Sequence, residues 1–223
     1  MSNIIYYTYM EVINKLKANE NTKSIILVGS SKDKNLKDDD CKVNDIDIFV
    51  IVKKQEKDQI RDIKTINNIE FDINYISIEG SYDFINKKTY FFLKIKDGKL
   101  IYDEEKIGET IMRLCKDKYN EGPNKLSIVD KNFKANQLKS DILRLANKNN
   151  YDDFEYDFLI NLYLIETIKL YYIVSDKWLP KDKKLLKSLK MDNQNLYESV
   201  KKVQGVNKYE NLLRLLDYIW SRL

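Results

Sequence analysis

The fold is decided by the stretch Asn44–Val52, whose sequence is NDIDIFVIV. Asp45 and Asp47 are followed by an unbroken apolar run, Ile48–Val52, and such a run is typical of a buried central strand. Side chains alternate between the two faces of a strand, so both aspartates point to the same face, with their Cα atoms about 6.5 Å apart. The stretch therefore predicts a central strand that begins with two acidic side chains.

Two carboxylates at the end of a buried strand are unfavourable unless a cation lies between them, because they repel each other and lose hydration. A divalent metal ion relieves both effects. A ligand set made only of oxygen atoms favours Mg²⁺, which binds carboxylates together with phosphate oxygens. Asp45 and Asp47 are therefore candidate metal ligands, and the alternative interpretation is a pair of solvated turn residues.

A glycine and two serines stand upstream, directly after another apolar run. Ser24–Val28 reads SIILV and predicts a short buried strand that ends at Gly29. Glycine permits close approach of the backbone, and backbone N–H groups together with serine hydroxyls can hold a phosphate. Gly29, Ser30 and Ser31 are therefore candidate nucleotide-binding residues, with an ordinary strand-ending turn as the alternative.

Polar and apolar residues alternate over Ile69–Ile78, which predicts a third strand. The alternation puts Glu70, Asp72 and Asn74 on one face. A carboxylate from this strand would complete a cluster with the pair on the central strand, and either Asp72 or Glu70 could supply it. The alternative is a half-exposed edge strand with a solvated polar face.

The composition narrows the chemistry of such a cluster. None of the 223 residues is a histidine and two are cysteines, which excludes a Ser-His-Asp or Cys-His relay, a His-ligated metal, a four-ligand zinc site and a disulfide framework. The formal net charge of +4 is too small to indicate a nucleic-acid partner by itself. Acid–base and metal chemistry must therefore use carboxylates, lysines and hydroxyls.

The pattern of apolar residues changes along the chain. Strands and helices are mixed before the breaker Gly122-Pro123, and Gln55–Thr65 is expected to form a helix between the second and third strands. After the breaker the spacing of apolar residues is helical. The expected fold class is α+β, with a small mixed β-sheet catalytic domain over residues 1–121 and an all-helical bundle domain over residues 122–223.

The sequence also indicates the compartment. The first fifteen residues lack the charged and apolar regions of a signal peptide, and no apolar run approaches the roughly 20 residues of a membrane span. With two cysteines and no pairing pattern, a reducing environment is the default. We therefore expect a cytoplasmic protein without a membrane partner.

Taken together, these features resemble the nucleotidyltransferase superfamily that includes DNA polymerase β and the aminoglycoside nucleotidyltransferases. The shared pattern is an apolar strand, Gly-Ser, a spacer, an Asp-x-Asp among apolar residues and a carboxylate on a later strand. It covers about the first eighty residues. The chain departs from the family in its spacer, because fourteen residues separate Ser30 from Asp45 and Ser31-Lys32-Asp33 replaces the usual arginine and glycine.

The resemblance implies an enzyme that releases pyrophosphate from an NTP, with ATP as the expected nucleotide. It implies Mg²⁺, with two ions held by Asp45, Asp47 and Asp72. Asp72 would also accept the proton of the attacking hydroxyl. Gly29, Ser30 and Ser31 would bind the nucleotide, and the departure in the following loop concerns phosphate contacts and not the metal site.

The helical half is similar to the helical domains of bacterial small-substrate nucleotidyltransferases, which implies that it binds a small acceptor such as an aminoglycoside-like antibiotic. Glu166, on an apolar helical stripe, and Lys181, in a lysine-rich segment, are candidate acceptor-binding residues. The alternatives are an RNA or protein acceptor, as in toxin–antitoxin nucleotidyltransferases, and an inactive nucleotide-binding scaffold. A homodimer is expected by analogy with related small enzymes.

Overall fold

The computed structural model describes residues 4–38, 40–43 and 45–221. Asp39 and Asn44, which belong to the polar stretch before the central strand, lie outside the described residues. The chain divides into two compact units, Met1–Glu121 and Gly122–Leu223. The first unit combines a sheet with helices, and the described part of the second is helical.

The first unit contains, in chain order, α1 (Ile4–Lys17), β1 (Thr22–Val28), β2 (Asp45–Val52), β3 (Gln59–Ile66), β4 (Ile69–Ser77), α2 (Ile78–Asn86), α3 (Tyr90–Leu93), β5 (Lys99–Asp103) and α4 (Ile107–Asn120). The strands form one sheet in the order β3-β4-β2-β1-β5. β2 and β4 are parallel, whereas the other neighbouring pairs are antiparallel. The predicted α+β class with a mixed sheet is confirmed.

Different helices cover the two faces of this sheet. α1 packs on one face, where Val12 and Ile13 are part of the buried core. On the other face Phe49 of β2 contacts Phe92 of α3, with ring centroids 6.0 Å apart. Residues Ile48–Val52 are all buried. β2 is therefore the central strand that its apolar run predicts, and only its beginning reaches solvent.

The segment expected to be a helix between the second and third strands is a strand. β3 pairs antiparallel with β4 through the turn Asn67-Asn68. Both asparagines have positive φ, 50° and 62°, a conformation that tight two-residue hairpins require and that asparagine tolerates. The helix prediction for Gln55–Thr65 was wrong because the isoleucines of β3 recur every three residues, as on a helix. β3 lies at an edge of the sheet, where pairing with β4 outweighs local propensity.

The second unit is a helical bundle of α5 (Ile128–Leu143), α6 (Asp153–Val174), α7 (Leu185–Asp192), α8 (Gln194–Val203) and α9 (Lys208–Trp220). α6 contacts both α5 and α9, and its N-terminus is fixed by a capping box between Asp152 and Glu155. Buried side chains such as Ile160, Leu189 and Leu212 form the core. Within the described ranges no helix, α6 included, has both the length and the apolar composition to cross a membrane.

α6 ends against a buried lysine of α5. Lys131 Nζ lies 2.7 Å from a carboxylate oxygen of Asp176 and donates a hydrogen bond of 3.2 Å to the carbonyl oxygen of Val174, the last residue of α6. The Lys131 side chain is 10% exposed. The last carbonyl groups of a helix carry partial negative charge and lack partners within the helix. Lys131 therefore fixes the C-terminus of α6 to α5.

We expect Lys131→Met to lower the free energy of unfolding of the helical unit by about 2–3 kcal/mol, since it removes a buried cation from the Asp176 carboxylate and from a helix carbonyl. The exposed Lys125, at 3.9 Å from Asp176, remains as the weaker partner. Lys139→Met is the matched control on α5, because Lys139 pairs with Asp217 at 2.9 Å while both side chains are substantially exposed. The control should change stability by less than about 1 kcal/mol. Urea unfolding measures both values, and equal losses would contradict the role given to Lys131.

Candidate active site

The two aspartates of the central strand lie at the beginning of β2, beside the end of β1. Asp47 is the antiparallel partner of Val28, the last residue of β1. Asp45 and Asp47 are partly exposed, and they share a face because they are two residues apart on one strand. The pair therefore lies where the buried centre of the sheet meets solvent.

The carboxylate of Asp47 lies against the backbone of Gly29. A Cβ atom at position 29 would be 1.9 Å from Asp47 Oδ2, and Gly29 has a φ of +70°. A side chain at this position would thus both clash and strain the backbone. Because residue 29 is glycine, the backbone of the turn after β1 approaches the Asp47 carboxylate directly. The Gly29 backbone and the Asp47 carboxylate are therefore adjacent.

The parallel pairing of β2 and β4 brings further acidic residues to the same face. Asp72 is the register partner of Asp47, and Glu70 is that of Asp45. Register partners on neighbouring strands are about 4.8 Å apart. Asp72 is the more enclosed of the two, with 14% of its side chain exposed, whereas Glu70 is exposed. Asp45, Asp47 and Asp72 are therefore brought to adjacent positions, and their catalytic roles stay predictions.

An arginine of β3 forms a bidentate ion pair with the carboxylate of Asp72. Arg61 Nε donates to Asp72 Oδ1 at 2.8 Å and Arg61 Nη2 donates to Oδ2 at 2.7 Å, so both oxygens are bound by one planar fork. The hydrogen bonds to Asp72 and its negative charge raise the pKa of the Arg61 guanidinium, and the charges of Asp47 and Glu70 raise it further. The site therefore contains a positive charge, the Arg61 guanidinium, among its carboxylates.

Two amides extend this arrangement along β3 and β4. Asn74 Nδ2 donates to Asp72 Oδ1 at 3.1 Å, and Gln59 Nε2 donates to Asn74 Oδ1 at 2.6 Å. Asn74 is buried, and its amide helps to orient the Asp72 carboxylate. The sequence analysis missed Arg61 and Gln59 because their segment was assigned to a helix. The signal that could have found them is the Asn-Asn turn, which predicts a hairpin.

The predicted phosphate-binding turn has one exposed and one buried hydroxyl. Gly29 and Ser30 are exposed. Ser31 is fully buried, and its hydroxyl donates to the carbonyl oxygen of Val28 at 3.4 Å. Residues Ser31–Asp33 form a short 3-10 turn. Ser31 therefore closes the turn after β1, and the exposed groups of the predicted trio are those of Gly29 and Ser30.

The donor set fits a Mg²⁺ ion through Asp45 and Asp47. Their carboxylate oxygens share a face beside the exposed turn at Gly29, which suits an ion that takes its other ligands from phosphate and water. The described part of the chain holds no group of three or more acidic or cysteine side chains arranged to bind a metal ion. A metal role for Asp72 stays a prediction, and Arg61 competes with a metal ion for this carboxylate.

The candidate acceptor-binding residues lie in the helical unit. Glu166 is half-exposed on α6 and pairs with Lys169 at 3.1 Å. It lines a groove between α5 and α6 of about 320 Å³, with Asp141, Tyr163 and other residues of the two helices. Lys181 is exposed at the residue before a short 3-10 turn, Asp182–Lys184. Lys181 is not among the residues that line this groove.

Comparison with known proteins supports the fold. No protein-family model and no curated protein sequence matches the chain. The structure is similar to the crystal structure of a nucleotidyltransferase-like protein from Exiguobacterium sibiricum, with a TM-score of 0.52 and 10% sequence identity over 94% of this chain and 72% of that chain. At this identity the similarity concerns architecture. The chain therefore has a nucleotidyltransferase-like α+β fold.

Proposed function

We propose that the chain is a Mg²⁺-dependent nucleotidyltransferase that transfers an NMP from an NTP, with ATP as the first candidate, to a hydroxyl group of a small molecule. The observation that carries the proposal is the contact between the Asp47 carboxylate and the Gly29 backbone, with Asp45 and Asp72 on the same face. The candidate metal ligands and the candidate phosphate-binding turn are thereby neighbours. The nucleotidyltransferase-like fold supports the same proposal.

In the proposed reaction Asp45 and Asp47 hold Mg²⁺, which supplies positive charge to the triphosphate when it is bound. Gly29 and Ser30 bind phosphate oxygens through backbone N–H groups and a hydroxyl. The acceptor oxygen forms a bond to the α-phosphorus, and the bond between that phosphorus and the pyrophosphate oxygen breaks. Asp72 accepts the proton of the acceptor hydroxyl, since a chain without histidine offers a carboxylate as its base.

For the acceptor we propose the groove between α5 and α6. Its volume of about 320 Å³ is at the lower end of the range for small-molecule sites, about 300–1,000 Å³. Leu162 and Tyr163 give it apolar surface. Its charged lining residues balance in sign, with Asp141 and Glu166 against Lys134 and Lys169. Such a lining suits a compact polar molecule with hydroxyl and amino groups, of which an aminoglycoside-like antibiotic is an example, and hence a role in resistance.

A second candidate is a nucleotide-binding scaffold without catalysis. The observation that favours it is the ion pair between Arg61 and Asp72, because pairing with a guanidinium makes a carboxylate a poorer metal ligand and a weaker base. A scaffold would bind an NTP and leave it unchanged. The two candidates therefore differ in whether label from the NTP reaches an acceptor.

We expect Asp47→Asn to abolish transfer of label from α-³²P-NTP while the unfolding temperature without ligand changes little. The substitution removes one charge from the proposed metal site and keeps the size of the side chain. Transfer is measured with Mg²⁺ and panels of aminoglycosides, other hydroxylated antibiotics, tRNA and lysate proteins, so that the labelled species identifies the acceptor. Asp62→Asn on β3 is the matched control, because neighbouring residues of a strand face opposite sides and Asp62 is adjacent to Arg61.

Undiminished transfer by Asp47→Asn would remove the metal assignment. An NTP that stabilises the unsubstituted protein only with Mg²⁺, but labels nothing in the panels, would favour the scaffold instead. Label in tRNA or in a protein, and not in a small molecule, would overturn the acceptor class.

We expect Gly29→Ala to destabilise the first unit and to abolish Mg²⁺-dependent stabilisation by NTP, because its Cβ atom would displace the Asp47 carboxylate. Gly122→Ala is the control for backbone strain, since Gly122 has a φ of +80° and nothing within 4 Å of an added Cβ atom. The control should cost about 1 kcal/mol, and Gly29→Ala should cost about 1–3 kcal/mol more. Thermal unfolding with and without MgATP measures both effects. Equal behaviour of the two variants would show that the Gly29–Asp47 contact is unimportant.

A further inference from the structure

The pairing of Arg61 with Asp72 has the geometry of an exchangeable contact. The Arg61 side chain is 57% exposed and that of Asp72 is 14% exposed, so the arginine can leave without opening the core of the sheet. Asp72 also accepts a hydrogen bond from the buried Asn74. This amide can hold the carboxylate when Arg61 leaves, and Asp72 is next to Asp47 in the strand register.

A guanidinium fork and a metal ion compete for the same carboxylate oxygens. Two N–H groups of Arg61 and the amide of Asn74 donate to the Asp72 carboxylate. Three of its roughly four lone pairs are therefore taken, and a positive charge lies beside the one that remains. The bidentate geometry strengthens the pair, whereas the 57% exposure of the Arg61 side chain lets water solvate the guanidinium when it leaves. The pair is therefore strong enough to occupy Asp72 and weak enough to be displaced by a divalent cation.

We propose that Arg61 is a latch on Asp72, which it holds until a divalent cation enters beside Asp45 and Asp47 and displaces it. Asp72 then joins the cation site only when the cation is present. This proposal rests on the proposed function for the place of the cation site. Arg61 acts here as a positioning residue, because it determines the state of Asp72 and needs no contact with the reacting atoms.

The alternative is that the ion pair between Arg61 and Asp72 only stabilises the fold. Its loss would weaken the β3–β4 hairpin and leave cation binding unchanged, apart from the general effect of removing one positive charge. Lys64→Gln measures that general effect, since Lys64 lies on β3 and pairs with Asp62 rather than with Asp72. Glu70→Gln measures the effect of removing one negative charge from β4 without touching Asp72.

The test is a titration of the protein with Mn²⁺ in the absence of nucleotide. Binding is measured through the relaxation rate of water protons, which changes when Mn²⁺ binds to the protein. Arg61→Gln should bind Mn²⁺ about five- to tenfold more tightly than the unsubstituted protein, which corresponds to removing a competing ion pair of about 1–1.4 kcal/mol. Lys64→Gln should change the affinity by less than about twofold. Adding Asp72→Asn to Arg61→Gln should remove the gain, whereas adding Glu70→Gln should keep most of it. Thermal unfolding checks that each variant is folded.

The proposal is overturned if Arg61→Gln and Lys64→Gln behave alike, if the gain survives Asp72→Asn, or if it depends on Glu70 instead. If no variant binds Mn²⁺, both the latch and the proposed metal site fail. The transfer assay separates the remaining cases. If label is transferred but the variants bind Mn²⁺ with equal affinity, the proposed function stands and the role of Arg61 is wrong. If the variants bind Mn²⁺ as expected but no label is transferred, the role of Arg61 stands and the proposed enzymatic function is wrong.

Discussion

Electrostatic repulsion within one face of two neighbouring strands is the constraint on which the rest of the first unit depends. The parallel register of β2 and β4 puts Asp47 beside Asp72 and Asp45 beside Glu70. Two such charges about 5 Å apart repel by about 3 kcal/mol at an effective dielectric constant of 20. A central strand tolerates this arrangement where cations can reach it, and the arrangement is confined to the strand beginnings for that reason.

The neighbouring elements are arranged around this charged face. β1 ends at Gly29, where the Asp47 carboxylate leaves no room for a Cβ atom. The β3–β4 hairpin supplies Arg61, whose charge offsets part of the repulsion at Asp72. Further along β2 the same face becomes apolar at Phe49, which packs against α3. The sheet thus changes from a closed core to an open acidic face within two residues.

Much of this could be predicted from the sequence, because the central strand and its carboxylates have a strong local signal. An apolar run after Asp47, the glycine after β1 and the alternation around Asp72 each specify a strand or its end. Arg61 could not be predicted in the same way, since β3 lies at an edge and its apolar residues are only partly buried. Its pairing with Asp72 depends on register, which the Asn67-Asn68 turn sets through backbone conformation. Burial of Ser31 likewise depends on how the 3-10 turn closes.

The ion pair between Arg61 and Asp72 bears on both candidate functions. The stronger the pair is, the more it favours the scaffold over the enzyme. If the pair were deeply buried, breaking it would cost about 3–5 kcal/mol and would favour the scaffold. Arg61 is instead largely exposed, although its fork on Asp72 is bidentate, so its displacement costs less than that of a buried pair. A divalent cation at this face would be attracted by the charges of Asp45, Asp47 and Glu70, and this attraction would oppose the pair. The resting position of Arg61 therefore does not decide between the two candidate functions, and the transfer of label from an NTP does.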